Sequence, residues 1–150
     1  MELNDEILID APKSVVYAAL NDPAILQQCI PGCETLTQHS DTELEALVVL
    51  KIGPVKAKFS GTVILDKSGA PDAFSLTGQG NGGPAGHAKG GAQVTLREVD
   101  GKTVLSYDAK AEIGGKLAQL GSRLIQSTAK KLAGAFFGKF AEVIGAKADA

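Results

Sequence analysis

Tryptophan is absent from this chain, aromatic residues make up only 5% of it, and methionine occurs once. Bulky side chains are therefore scarce as core filler. Glycine is plentiful instead, at 18 residues out of 150. A core with few large and many small side chains either bends its strands at glycine or keeps space inside, and composition alone does not separate the two. Cysteine is limited to Cys29 and Cys33, a C-x3-C pair around Ile30-Pro31-Gly32. That spacing is neither the redox C-x2-C nor half of a zinc site, so both read as buried, reduced thiols of a reducing compartment. There are two histidines, His39 on a weak strand and His87 beside a glycine-rich turn. Neither has a carboxylate or thiol at metal-ligand spacing, which predicts no metal centre and no cofactor.

No apolar run is long enough to cross a bilayer. The start, Met1-Glu2-Leu3-Asn4-Asp5, is acidic and lacks the basic-plus-apolar pattern of a signal segment. Together these predict a cytoplasmic protein. The net charge is −2, yet residues 114–150 carry 6 Lys+Arg against 2 Asp+Glu. That basic excess is too small for a nucleic-acid footprint. The glycine run Gly78-Gln79-Gly80-Asn81-Gly82-Gly83 lacks a following helix and the Lys-Ser/Thr of a phosphate loop. It reads as a twisted strand end and turn.

What the chain has is two clear periodicities. Alternation of apolar and polar residues marks strands over Leu3–Ile9, Thr35–His39, Glu43–Ile52, Val55–Asp66, Ala73–Gly80, His87–Glu98 and Thr103–Ile113. Gly53-Pro54 and Asp100-Gly101 are turn signals between them. Asp10-Ala11-Pro12 opens a short helix with Asp10 as its expected cap. Asp22 caps a second, which Pro31-Gly32 ends. From Gly115 to about Ile144, Leu117, Leu120, Leu124, Thr128, Leu132, Phe136, Phe140 and Val143 recur at steps of three and four, the stripe of one long helix. Gly121 falls on that stripe, where a side chain is expected, and predicts a place where a strand or ligand comes close. With 150 residues and 44% hydrophobic composition, the chain is the size of a single domain, 1–150. The element order predicts an α+β helix-grip fold: a curved seven-stranded antiparallel sheet wrapped around a long C-terminal helix, with two short helices after the first strand.

Particular residues point further. Ala11-Pro12, Val16-Tyr17, Leu20-Asn21-Asp22-Pro23, Ile30-Pro31-Gly32-Cys33, Gly53-Pro54-Val55, Phe59-Ser60-Gly61 and Gly114-Gly115-Lys116-Leu117-Ala118-Gln119-Leu120-Gly121 span nearly the whole chain. In these segments it resembles the CoxG family, the G subunits of carbon monoxide dehydrogenase, within the superfamily of START-like and polyketide-cyclase-like (SRPBCC) proteins. Family members often carry Trp where this chain has Tyr17. The resemblance implies an accessory protein, not a catalytic component. It implies association with molybdenum hydroxylases of the carbon monoxide dehydrogenase type, a role in attaching them to the membrane, and a lipophilic quinone or lipid as ligand.

The inward faces of strands and helices are almost wholly apolar, with Tyr107 the main polar exception and Thr128 and Gln28 as lesser ones. A cyclase needs a positioned acid or base, and no inward Asp, Glu or His is expected. The predicted site is thus an apolar cavity walled by Val48, Leu50, Phe59, Val63, Leu76, Val94, Leu105, Tyr107, Leu120, Leu124 and Leu132, with Ile25, Leu26 and Ile30 near one mouth. Tyr107 is either a core ring or a donor to a ligand carbonyl such as a quinone oxygen. At 100° per residue, Lys116, Arg123 and Lys130 fall on one outward helix stripe, expected to dock weakly on anionic lipid or an acidic partner. On that reading the protein visits the inner face of the membrane as a peripheral guest. A cyclase or aromatase of the same superfamily and a pure protein-interaction module are the alternatives. A buried acid–base pair would favour the first, and a collapsed cavity the second.

Overall fold

The computed structural model describes residues 1–148. Its elements run β1 (Glu2–Ile9), α1 (Lys13–Leu20), α2 (Pro23–Cys29), β2 (Cys33–Gln38), β3 (Glu43–Ile52), β4 (Val55–Asp66), β5 (Ala73–Asn81), β6 (His87–Val99), β7 (Lys102–Gly114) and α3 (Ser122–Ala148). Short 3₁₀ segments at Gly83–Ala85 and Gly115–Leu120 precede β6 and α3 respectively. The strands form one antiparallel sheet in the order β1-β7-β6-β5-β4-β3-β2. From β2 to β7, neighbours in the sheet are neighbours in sequence. β1 closes on β7, which leaves α1 and α2 to carry the chain from one sheet edge to the other.

The strands form where the alternation placed them, because each has one apolar face to bury and a turn that sets its register. At Asp100-Gly101 both residues have positive φ, 52° and 77°, as a tight two-residue hairpin turn needs. Between β2 and β3 the register slips around Glu34, so Cys33 faces Val48 while Thr35 faces Leu47. That bulge bends the edge strand.

The expected single helix from Gly115 to Ile144 is broken. Gly115–Leu120 is 3₁₀, Gly121 sits at φ 92°, and the α-helix begins at Ser122. Gly121 is exposed, and a Cβ there would meet nothing within 4 Å. Its role is therefore the turn in the backbone, not room for a neighbour.

Asp10 does not cap α1. Pro12 is its N-cap residue, without a side-chain hydrogen bond. The Lys13 amide instead donates to Glu98 Oε1 of β6 at 2.7 Å, and the Lys13 ammonium pairs with Asp72. A carboxylate from a distant strand thus satisfies an open helix end, which no local sequence pattern reveals. Asp22 does cap α2, accepting from the Ala24 amide at 3.0 Å.

Packing is tightest at one end of the molecule. Ile9, Val16, Ala19, Ile25, Cys29, Leu96, Leu105, Phe140 and Ile144 are buried together there, with Phe136 stacked on Phe140. Thr103 is fully buried in the same region, and its hydroxyl donates to the Ala11 carbonyl at 2.7 Å. This bond ties the entry to α1 onto β7. Thr103→Val keeps the shape but strips the carbonyl of its partner, so unfolding stability is expected to fall by about 1–3 kcal/mol. Urea denaturation measures it, and an unchanged midpoint would show that the bond contributes nothing.

Candidate ligand-binding space

The concave side of the sheet is paved with small residues over its middle. One cross-strand row reads Ala46, Gly61, Gly80, Ala88 and Ile113. The next reads Val63, Gly78, Gly90 and Ala111, and a third Leu76, Ala92, Ala109 and Leu3. A Cβ placed on Gly61, Gly78 or Gly80 would meet only atoms of neighbouring strands, at 3.4 Å or more, and nothing of α3 within 4 Å. No helix atom therefore comes within van der Waals contact of a Cβ at these three positions.

Which part of α3 lies above it follows from one contact. Phe137 stacks on Tyr107, with ring centroids 5.6 Å apart and planes at 17°. Helix and strand run in opposite directions, rising roughly 1.5 Å and 3.3 Å per residue, which brings Leu132 level with Ala109 and Leu124 level with Ile113. The half of α3 from Leu124 to Leu132 therefore roofs the small-residue rows. Its backbone comes near α2 and the flanking strands β1 and β3, and far less near the middle strands. What lies between this half of the helix and the middle strands is therefore side chain alone, and the strands' share of it is glycine and alanine.

The predicted wall residues divide by depth. Val94, Leu105 and Ile25 are buried in the packed end. Val48, Leu50, Val63, Leu76, Leu120, Leu124 and Leu132 keep partial exposure, as do Leu26 and Ile30 of the α2 region. Phe59 is also half-buried, and its ring lies where a Cβ on Gly82 would fall, 2.5 Å away, so the turn after β5 leans on it. The residues that sequence reasoning left out of the wall are the glycines and alanines of the floor. Their signal is legible in the inward register of β4–β7, but a search for large apolar side chains passes over them.

Polar groups at the space are few. The Tyr107 hydroxyl has no protein hydrogen-bond partner among the described residues, and it is not sealed from solvent. Burial, reinforced by the Asp5 carboxylate, holds its pKa above the ordinary phenol value, so it stays a protonated donor. Asp5 stands directly opposite Tyr107 in the register and so falls on the inward face, contrary to the expectation that no acid would. It is exposed and accepts from the Glu6 amide at 2.8 Å. Thr128 gives its hydroxyl to the Leu124 carbonyl at 2.8 Å, and exposed Gln28 bonds the Ala24 carbonyl, so neither serves as an inward polar group.

Among the described residues the single buried polar side chain is Thr103, already engaged. Cys29 is buried and Cys33 half-buried, and desolvation raises both thiols above their usual pKa. His39 does have a carboxylate partner, Glu45 at 2.7 Å, and both are exposed on the surface.

Two surface depressions lie outside the space. One of about 600 Å³ runs over the convex side, lined by Thr62, Ile64, Gln79, Lys89, Lys110 and Glu112, whose side chains point away from α3. Another of about 550 Å³ lies by the Gly53-Pro54 turn. There, a Cβ on Gly53 would sit 2.9 Å from Leu124 Cδ2, so the hairpin tip abuts the first turn of α3. The basic stripe is divided by the break at Gly121. Arg123 and Lys130 share one outward face of α3, while Lys116 lines the hairpin depression with Lys56 and Lys58.

The sequence of residues 6–145 matches the family described as the G subunit of carbon monoxide dehydrogenase (CoxG). No curated protein matches the chain. Among solved structures, a conserved protein from Geobacillus kaustophilus is 31% identical, with a TM-score of 0.91 over 97% of this chain and 95% of that one. A STAR-related lipid transfer protein from Xanthomonas axonopodis is 19% identical, with a TM-score of 0.65 over 95% of this chain and 85% of that one. The Zhui aromatase/cyclase from Streptomyces sp. R1128 is 11% identical, with a TM-score of 0.66 over 97% of this chain and 93% of that one. The last two likenesses show the fold, a START-like helix-grip.

Proposed function

Because this chain belongs to the CoxG family of carbon monoxide dehydrogenase, we propose that it is a non-catalytic accessory protein that holds a lipophilic ligand, a quinone or lipid, between the sheet and α3. The observation that supports this reading is the glycine and alanine floor, with no helix atom within 4 Å of a Cβ placed on Gly61, Gly78 or Gly80. Space lined by apolar walls, with one unpartnered phenol, suits a largely hydrocarbon molecule that ends in a carbonyl. An aromatase or cyclase needs a positioned acid or base in its cavity. Here the inward carboxylate, Asp5, is exposed, and the buried hydroxyl of Thr103 is already bonded.

Titration with a soluble quinone analogue, followed by amide NMR shifts, tests the site. The shifts are expected at Gly61, Leu76, Gly78, Gly80, Tyr107, Leu124 and Leu132. Shifts confined to the convex face would reject it. Tyr107→Phe keeps the stack on Phe137 and removes only the donor. It is expected to weaken the analogue by about 2–10-fold, the worth of one neutral hydrogen bond, with melting unchanged. Equal affinity would leave Tyr107 a core ring.

The family also suggests the partner, a molybdenum hydroxylase of the carbon monoxide dehydrogenase type, brought by this protein to the membrane. No helix among the described residues is long and apolar enough to cross a membrane, so the proposed contact is peripheral. The purified hydroxylase should then sediment with vesicles only when this protein is present. Sedimentation of the hydroxylase alone would remove the need for a recruiter.

A further inference from the structure

We propose that the β3–β4 hairpin tip, together with the 3₁₀ segment before α3, is the surface that docks on anionic lipid headgroups. It lies against the first turn of α3, where a Cβ on Gly53 would come 2.9 Å from Leu124. Lys51 and Lys56 stand directly opposite each other on either side of the Gly53-Pro54 turn. Like charges in that position destabilise a hairpin. Both side chains are exposed, and neither has an ion-pair partner among the described residues. Lys116 joins Lys56 and Lys58 around the depression at the tip, with Pro54, Val55 and Pro84 as its apolar part. Of these lysines Lys58 alone is neutralised, by Glu34 at 3.2 Å.

The location narrows the occupant. The tip abuts Leu124, in the first turn of α3, so the lysines cluster beside the end of the helix that faces the small-residue floor. A bilayer surface offers what this edge presents complements to: anionic headgroups for Lys51, Lys56 and Lys116, and a boundary layer for exposed Pro54 and Pro84. Seated there, the protein would turn its opening toward the medium from which a lipophilic ligand must come. This inference rests on the ligand-carrier reading. It differs from a helix-stripe dock, because Arg123 and Lys130 lie on a separate outward face.

Sedimentation with phosphatidylglycerol–phosphatidylcholine vesicles tests it. A basic residue near such a surface contributes about fivefold in binding, so three give roughly a hundredfold. Wild type is expected to bind these vesicles, release them in high salt, and ignore vesicles of phosphatidylcholine alone. Lys51→Glu is the decisive variant, because it removes the like-charge opposition across the hairpin. It should melt no lower than wild type and yet bind the vesicles at least about tenfold more weakly, since the local charge changes by two. Lys56→Gln/Lys116→Gln should lose comparable binding, while Arg123→Gln/Lys130→Gln loses less. The proposal is overturned if wild type fails to bind, if phosphatidylcholine alone suffices, if Lys51→Glu binds as wild type, or if the helix pair carries the larger loss. All variants should keep wild-type affinity for the soluble quinone analogue. Failure of wild type to bind that analogue would count against the ligand-carrier reading and leave the vesicle result to stand by itself.

Discussion

Gly78→Leu is expected to abolish binding of a lipophilic ligand while leaving the fold intact or slightly firmer. The position lies in the middle of the floor, between Val63 and Gly90 in its row. A Cβ there would make ordinary contacts, 3.4 Å to the Thr62 carbonyl oxygen and 3.5 Å to Val63 Cγ2, and a longer side chain would project into the space under α3. Replacing a strand glycine also removes flexibility from the unfolded chain, by roughly 0.4–1 kcal/mol. Burying leucine surface against the walls adds to that. Affinity for the quinone analogue should therefore fall at least about a hundredfold, more than 2.7 kcal/mol, with the melting temperature level or raised. Thr77→Leu, one residue away on the convex side, is the control and should bind normally. Full binding by Gly78→Leu would place the ligand elsewhere. Loss of the fold would mean that the floor is already filled.

The second large effect concerns Gly32, in the Ile-Pro-Gly-Cys segment between α2 and β2. Its φ is 74°, and a Cβ there would lie 2.0 Å from the Val49 carbonyl oxygen. Its own carbonyl accepts the Val49 amide at 2.9 Å, so the two backbones are fastened together. Gly32→Ala meets two costs at once: left-handed strain of about 1–2 kcal/mol, and an overlap with backbone that no side-chain rotation relieves. A loss of about 3–5 kcal/mol is expected, a large part of a typical domain's stability. Gly121→Ala calibrates the first cost alone. It has φ 92° and ψ 149° with nothing within 4 Å of a Cβ, so backbone strain is its whole cost and it should lose about 1–3 kcal/mol. Denaturant midpoints for the two variants give the comparison. Equal losses would show that the approach to Val49 relaxes freely.

The same two glycines mark where sequence reading stops. Both stand in segments that carry the family resemblance, and the sequence presents both simply as glycine. Gly121 invites a reading as a space-maker on a helix stripe, because the stripe extrapolates through it. Nothing local distinguishes a glycine chosen for its φ from one chosen for its missing Cβ. Likewise Lys116, Arg123 and Lys130 share a face only if the helix is continuous. The break at Gly121 sends Lys116 to the hairpin tip. Capping shows the same limit: Asp22 serves the helix next to it, whereas α1 is served by Glu98 across 85 residues of chain.

The sequence by itself determined the strands, their turns, the seven-stranded helix-grip order and the family. Each of these is written in short-range periodicity and turn chemistry that a strand or helix must obey wherever it sits. It also placed Gly61, Gly78, Gly80 and Ala92 on the inward face, because alternation fixes the side of a sheet. Only the tertiary structure decided what faces them. Whether a small residue is covered or left open depends on how far a helix 30 or more residues away in sequence stands off the sheet. The helix is held in place by the Tyr107–Phe137 stack, the packed end around Phe140 and the flanking strands, all long-range contacts.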